Sequence, residues 1–212
     1  YLPEALRNYL LRLGWGHGDE EIISTENAIQ WFSLEKVGKA PSRFDLAKLD
    51  YINSYYIKEC QPTRLMALIK PFLLKKIGRA LTLSQEQRVM QGMEGLKLRA
   101  KTLVELADQA LIYVHEVPLT LTDAAQITLK NYQSHLIELA PLFANLSNWK
   151  KDEIEKLVKA FIIDKKVKMG EVAQVLRASL TGTTVSPGVF EVIEVFGKEE
   201  TMKRLQATLS SL

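Results

Sequence analysis

Arg177 and the run Ser186-Pro187-Gly188-Val189-Phe190 are residues whose types and spacing could hold a ligand. Arginine offers only N–H donors. A serine followed by proline reads as a helix cap and first turn, which leaves the amides of Gly188, Val189 and Phe190 without carbonyl partners. Such a helix start attracts phosphate or any acceptor-rich edge. Gly188 has no side chain to block close approach, and Phe190 either packs inward or offers a face to a base. The same five residues also suit an ordinary, well-capped surface helix, and both readings stay open. A second group, Lys97, Arg99 and Lys101, alternates across an expected break between helices. Its side chains can converge on a ligand or simply dress a solvated turn.

Other motifs point away from catalysis. In "GWGHGDE", glycines fall at 14, 16 and 18, but Asp19 stands where a dinucleotide-binding loop needs its third glycine. No strand precedes it, so a helix-terminating loop is the simpler reading. His17, His115 and His135 lie far apart with no carboxylate at ligand spacing, so no metal site is expected. Cys60 has no cysteine to pair with, which excludes an internal disulfide and fits a reducing cytosol. Glu20-Glu21 and Glu199-Glu200 fall near helix starts, where acids complement the helix dipole. No catalytic residue, metal or cofactor is expected in the chain itself.

The elements that would position these residues are helices. Pro3 and Gly14 bracket "EALRNYLLRL"; Asp45 can cap "LAKLDYINSYYIKEC" and Thr63 "RLMALIKPFLLKKI". Ser84 and Gln87 have capping-box spacing ahead of "EQRVMQGMEGLKL". Pro118 separates "TLVELADQALIYV" from "DAAQITLKNYQSHLIELAPLFANL". Asn148 leads "WKKDEIEKLVKAFII", Met169-Gly170 leads "EVAQVLRASL" with a stop at Thr181-Gly182, and a last pair lies either side of Gly197. No stretch alternates with period two over a useful length, so the expected fold class is all-α. No fixed-period repeat is visible. Breaks at 59–63 and 115–120 divide the chain into expected units 1–62, 63–114 and 115–212.

An apolar fraction of 47% and a charged fraction of 25% are ordinary for a globular protein with a packed core. No apolar run is long enough for a bilayer, and no leader pattern opens the chain, so a cytoplasmic monomer without a membrane partner is expected. The start on Tyr1 reads as an internal piece of something longer. The net charge of +3 hides its distribution. Residues 64–101 carry nine basic side chains against Glu86 and Glu94, residues 102–149 carry five acids against Lys130, and residues 150–177 carry eight basic against five acidic. Two basic blocks around an acidic one suit a polyanion held at chosen faces, or plain solvated helix surfaces.

Four stretches, "YLPEALRNYLLRLGW", "SLEKVGKAPSRFDLAKL", "VAQVLRASLTG" and "SPGVFEVIEVFGKEETMKRL", resemble in order the C-terminal part of bacterial glutamyl-tRNA synthetases. The family's two ATP-site signatures are not found here. "VKMGEVAQ" begins like one of them at Lys168-Met169, but Gly170-Glu171 replace its Ser-Lys. The resemblance implies an elongated multi-helix stem-contact unit followed by a two-subdomain α-helical cage around the anticodon. ATP and Mg2+ would serve the parent enzyme only. It further implies that Arg99 meets the third anticodon base, and that Arg177 and Ser186, Pro187, Gly188, Val189 and Phe190 form the pocket for the others. Arg7, Lys36, Lys39 and Arg43 would contact the tRNA stem. The implied partner is tRNA(Glu), together with tRNA(Gln) if the enzyme is non-discriminating. Glutamate anticodons end in C and glutamine anticodons in G. Cytosine presents acceptors to a donor-only arginine, whereas guanine presents donors. Two alternatives remain: the helical cage of a class I lysyl-tRNA synthetase, and a non-catalytic helical scaffold that binds proteins.

Overall fold

The computed structural model describes residues 1–39 and 41–211. Every regular element among them is helical. The all-α expectation therefore holds. The chain gathers into two compact units, one of residues 1–79 and 96–109 and the other of residues 80–95 and 110–212.

The first unit holds α1 (Pro3–Gly14), α2 (Thr25–Trp31), α3 (Leu46–Glu59), α4 (Pro62–Ile77) and all but the last residue of α6 (Leu103–Ala110), with a 3-10 turn at Leu34–Lys36. Helices α1 and α3 pack together over buried Leu2, Ala5, Tyr9, Leu49 and Ile52. Two buried asparagines inside this unit are paired, as burial demands, whereas Arg12 Nε, Trp15 Nε1 and Gln109 Oε1 are buried without a hydrogen-bond partner among the described residues. Asn53 accepts from the Leu2 amide at 2.8 Å and donates to the Lys101 carbonyl. Asn8 accepts from the Ile23 amide at 2.8 Å and from the Tyr56 hydroxyl at 3.0 Å, which fixes the segment leading to α2. Asp45 caps α3 as expected, accepting from the Lys48 amide at 3.2 Å. Thr63 does not cap α4: Pro62 already occupies the first turn and Gln61 is the cap. The short α2, capped by Ser24, was not expected.

The second unit holds α7 (Asp123–Asn145), α8 (Lys151–Lys165), α9 (Met169–Thr181) and α10 (Val189–Ser211), joined by most of α5 (Leu83–Lys97). Helix α9 lies against α7, α8 and α10. Its buried Val172, Val175, Leu176, Ser179 and Leu180 follow the three-and-four spacing of a helix with one apolar face. Helix α10 breaks at Gly197, whose φ of 68° and ψ of 178° form the hinge anticipated between its two halves. The capping box of α5 sits two residues earlier than Ser84 and Gln87. The Thr82 hydroxyl accepts from the Gln85 amide at 3.2 Å, and the Gln85 side chain accepts from the Thr82 amide at 2.9 Å.

Candidate nucleic-acid interface

Arg177 lies one turn before the end of α9, half-buried. The carbonyls that follow it are bonded one by one. Thr181 Oγ1 donates to the Arg177 carbonyl at 2.8 Å and the Gly182 amide to that of Ala178 at 3.0 Å. Thr208 Oγ1 donates to that of Ser179 at 3.2 Å, and Arg204 to that of Leu180. The helix stops at Gly182, in the left-handed region at φ 75°. There a Cβ would come within 2.6 Å of the Thr120 carbonyl oxygen. The chain then turns through Thr183 to Val185 and returns Ser186 to α9, where Arg177 Nε donates to Ser186 Oγ at 2.9 Å. That bond fixes the plane of the guanidinium.

The expected cap at Ser186 is not formed. Its hydroxyl donates to the Pro187 carbonyl at 2.9 Å and accepts from Arg177 instead of capping an amide. Pro187 is buried over Gly95 of α5, with its Cβ 3.3 Å from where a Gly95 side chain would begin. Seated there, it lies outside the helix, which starts at Val189 with Gly188 as cap and the Gly188 carbonyl accepting from the Val192 amide at 3.0 Å. A carboxylate also lies over this start. Glu191, the third helical residue, folds back until its carboxyl carbon is 3.2 Å from the point where a Gly188 Cβ would lie. An acid at that position compensates unpaired amides and the positive end of the helix. Lys151 Nζ holds the carboxylate at 2.7 Å, a bond that raises the pKa of the lysine ammonium. The Lys151 amide donates to Glu194 at 3.1 Å, so α10 caps α8 in return. Burial, and then the Glu191 charge, push the Tyr113 phenol up. Val189 is buried and Phe190 half-buried, while Gly188 and Val185 are exposed. The lobe thus presents a donor-only arginine and an acceptor-only glutamate on either side of one short segment. Glu191 had a signal in the sequence, as an acid three residues after a helix cap, but only once the cap is placed at Gly188.

Arg99 belongs to the first unit, in the turn after α5, where it is exposed. Its guanidinium makes no hydrogen bond or ion pair to a described residue. Lys97 does not converge with it: its side chain is buried, with Nζ donating to the Cys60 carbonyl at 3.5 Å. Arg7, Lys36, Lys39 and Arg43 are all exposed. Arg43 lines a hollow of about 270 Å³ shared with Arg12 and Lys48. Part of the basic block is satisfied internally, through Arg64–Glu4, Lys76–Asp108 and Arg88–Glu200 at 2.5, 2.6 and 3.0 Å. Among the described residues no cluster of His, Cys, Asp or Glu could hold a metal ion, and no helix is long and apolar enough to cross a membrane.

The all-helical lobe with its arginine and its interrupted helix start is of a known kind: the chain belongs to the anticodon binding domain family, whose model matches residues 64–209. It is 48% identical over 206 residues to a glutamate–tRNA ligase of Rhodospirillum centenum, covering 97% of this chain and 44% of the relative. A glutamate–tRNA ligase of Rhodospirillum rubrum is 46% identical over 207 residues, again with 97% and 44% covered. The fold matches the crystal structure of a glutamate tRNA ligase from Elizabethkingia meningosepticum in complex with its amino acid, at a TM-score of 0.84 and 26% identity, over all of this chain and 42% of that one. The chain therefore spans a little under half the length of the curated relatives it matches. The glutamyl-tRNA synthetase resemblance of its four motifs is borne out.

Proposed function

We propose that this chain is the tRNA-recognition portion of a glutamate–tRNA ligase, reading the anticodon and contacting the stem of tRNA(Glu) in the cytoplasm as part of a monomeric enzyme. Activation of glutamate with ATP and Mg2+ belongs to the whole ligase. In this reading residues 1–62 contact the stem, and 63–114 and 115–212 form the two subdomains of the cage. The observation that carries it is the Arg177–Ser186 bond inside the region matched by the anticodon binding family. A guanidinium fixed in plane offers its donors to an unstacked base, and single-stranded loops are where proteins read RNA sequence. Arg177 with Ser186, Pro187, Gly188, Val189 and Phe190 forms one reading pocket. Exposed Arg99 meets the third anticodon base, where C marks glutamate and G marks glutamine. Glu191 refines the pocket's chemistry: a carboxylate over the start of α10 repels phosphate and accepts from a base N–H.

The test is titration of the chain with tRNA(Glu), tRNA(Gln) and tRNA(Lys) transcripts at two ionic strengths. Affinity for tRNA(Glu) falls steeply as salt rises. Arg177→Ala weakens binding severalfold with an unchanged circular dichroism spectrum, and Arg99→Ala lowers the preference for tRNA(Glu) over tRNA(Gln). Absence of salt-dependent RNA binding would favour a protein-binding scaffold, and preference for tRNA(Lys) a lysyl enzyme. Equal loss for both tRNAs would remove Arg99 from the reading role.

A further inference from the structure

Among the described residues the largest fully buried side chain is charged: Arg204, in the second half of α10. Its guanidinium is used on every side. Nε donates to Glu200 at 2.7 Å, Nη1 to the carbonyls of Leu180 and Ile112 at 2.5 and 3.2 Å, and Nη2 to that of His115. Its flat face lies 4.1 Å from the centre of the Phe196 ring. Glu200 is in turn held from its other oxygen by Arg88 at 3.0 Å. A methionine or leucine of similar length would fill this space without the cost of desolvating a charge. What such a residue could not do is donate to the carbonyls of Ile112, His115 and Leu180, the first two far in sequence from the third. One of those carbonyls closes the last turn of α9. The adjacent one, of Ser179, is taken by Thr208, four residues after Arg204 on the same helix. The second half of α10 therefore sets where α9 ends, and so where Gly182 begins the path that returns Ser186 to Arg177.

We propose that Arg204 is the positioning residue of the reading pocket: it fixes the turn across which Arg177 and Ser186 meet, without touching RNA. The RNA half of this proposal rests on the reading of Arg177 given above; the geometric half does not. Arg204→Lys keeps the charge, but its three N–H donors sit on one nitrogen, which cannot take the place of the three guanidinium nitrogens that hold Glu200 and three carbonyls. Two measurements on the 212-residue chain separate the halves. The first needs no RNA: the Arg177 Nε–H resonance in a proton–nitrogen NMR spectrum, assigned with Arg177→Ala, reports its bond to Ser186. Arg204→Lys shifts or broadens that signal; an unmoved signal overturns the proposal. The second is a double-mutant cycle in tRNA(Glu) affinity. Arg204→Lys weakens binding about tenfold in the parent and less than twofold in an Arg177→Ala background, because residues acting through one another are not additive. Equal losses in both backgrounds show an independent role and overturn the positioning claim. If Arg177→Ala leaves affinity unchanged, the RNA reading fails while the resonance still decides the geometry. Should Arg204→Lys not fold, Thr208→Val removes only the neighbouring carbonyl bond. It is expected to move the same resonance, and an unmoved signal there counts equally against the proposal.

Discussion

Two glycines in left-handed conformation stop helices in this protein, and alanine at each separates backbone strain from close approach. Gly78 ends α4 at φ 69° with nothing within 4 Å of where a Cβ would stand. Gly182 ends α9 at φ 75° with the Thr120 carbonyl oxygen 2.6 Å from that point. An L-residue in this region costs about 1–2 kcal/mol, so Gly78→Ala is expected to lose that much and no more. Gly182→Ala bears the same strain and also a clash with backbone. Thr120 cannot retreat cheaply, because the Thr122 amide donates to the Gly182 carbonyl at 2.9 Å and ties the two segments together. Crowding of that kind adds about 1–3 kcal/mol, for a total of roughly 2–5 kcal/mol. Urea denaturation followed by circular dichroism measures both, with the slope of free energy against urea checked for constancy. Because Gly182 opens the path to Ser186, its variant is also expected to weaken tRNA binding where Gly78→Ala does not. Equal destabilisation by the two variants would refute the close approach and the account of this turn.

Charge changes give two further tests. The Arg64 guanidinium hydrogen-bonds Glu4 and lowers its carboxyl pKa, so this contribution to stability is present above the unfolded carboxyl's value and lost as pH falls through the folded one. Glu4→Gln is therefore expected to destabilise the first unit near neutral pH by about 0.2–1 kcal/mol, as partly exposed ion pairs do, and to make no difference in strong acid; a pH-independent difference in urea midpoint would contradict it. Arg43→Gln is expected to lower the slope of log affinity against log salt by about 0.9 for tRNA(Glu) and tRNA(Gln) alike, the signature of one lost phosphate contact, and an unchanged slope removes Arg43 from the stem surface.

The helices were legible because their signals are local. Asp45 caps the helix it precedes, Gly182 and Gly197 fall where the periodicity stops, and the buried face of α9 follows the apolar spacing. Failures came where a distant residue decides a local question. Ser186-Pro187 has the pattern of a helix start, yet Pro187 is drawn onto Gly95 and Ser186 onto Arg177, so the helix begins two residues later than Pro187. Lys97 reads as one of three alternating cations, but the carbonyl of Cys60 takes it inward. Nothing in the sequence around Arg204 announces a buried charge, because the carbonyls it bonds lie 24 to 92 residues away. The recognition motifs were legible for a different reason: they are specific enough to name a family without fixing a single contact.

The helix start at Val189 rather than Pro187 bears on the chemistry proposed for this pocket. A bare helix start beside an arginine would be an anion site, and the phosphates of any RNA would compete for it with the bases. With Glu191 over Gly188 and neutralised by Lys151, the positive end of the helix is already compensated, and a phosphate arriving there meets a carboxylate at close range. Like charges oppose each other, so this carboxylate disfavours a phosphate at the helix start. A base edge carries no net charge and presents donors and acceptors side by side. On the proposed reading it would accept from the guanidinium of Arg177 and donate to Glu191. On that same reading, the internal ion pair would separate the two tasks of RNA recognition, with exposed cations elsewhere on the chain holding the backbone and the paired lobe distinguishing one base from another.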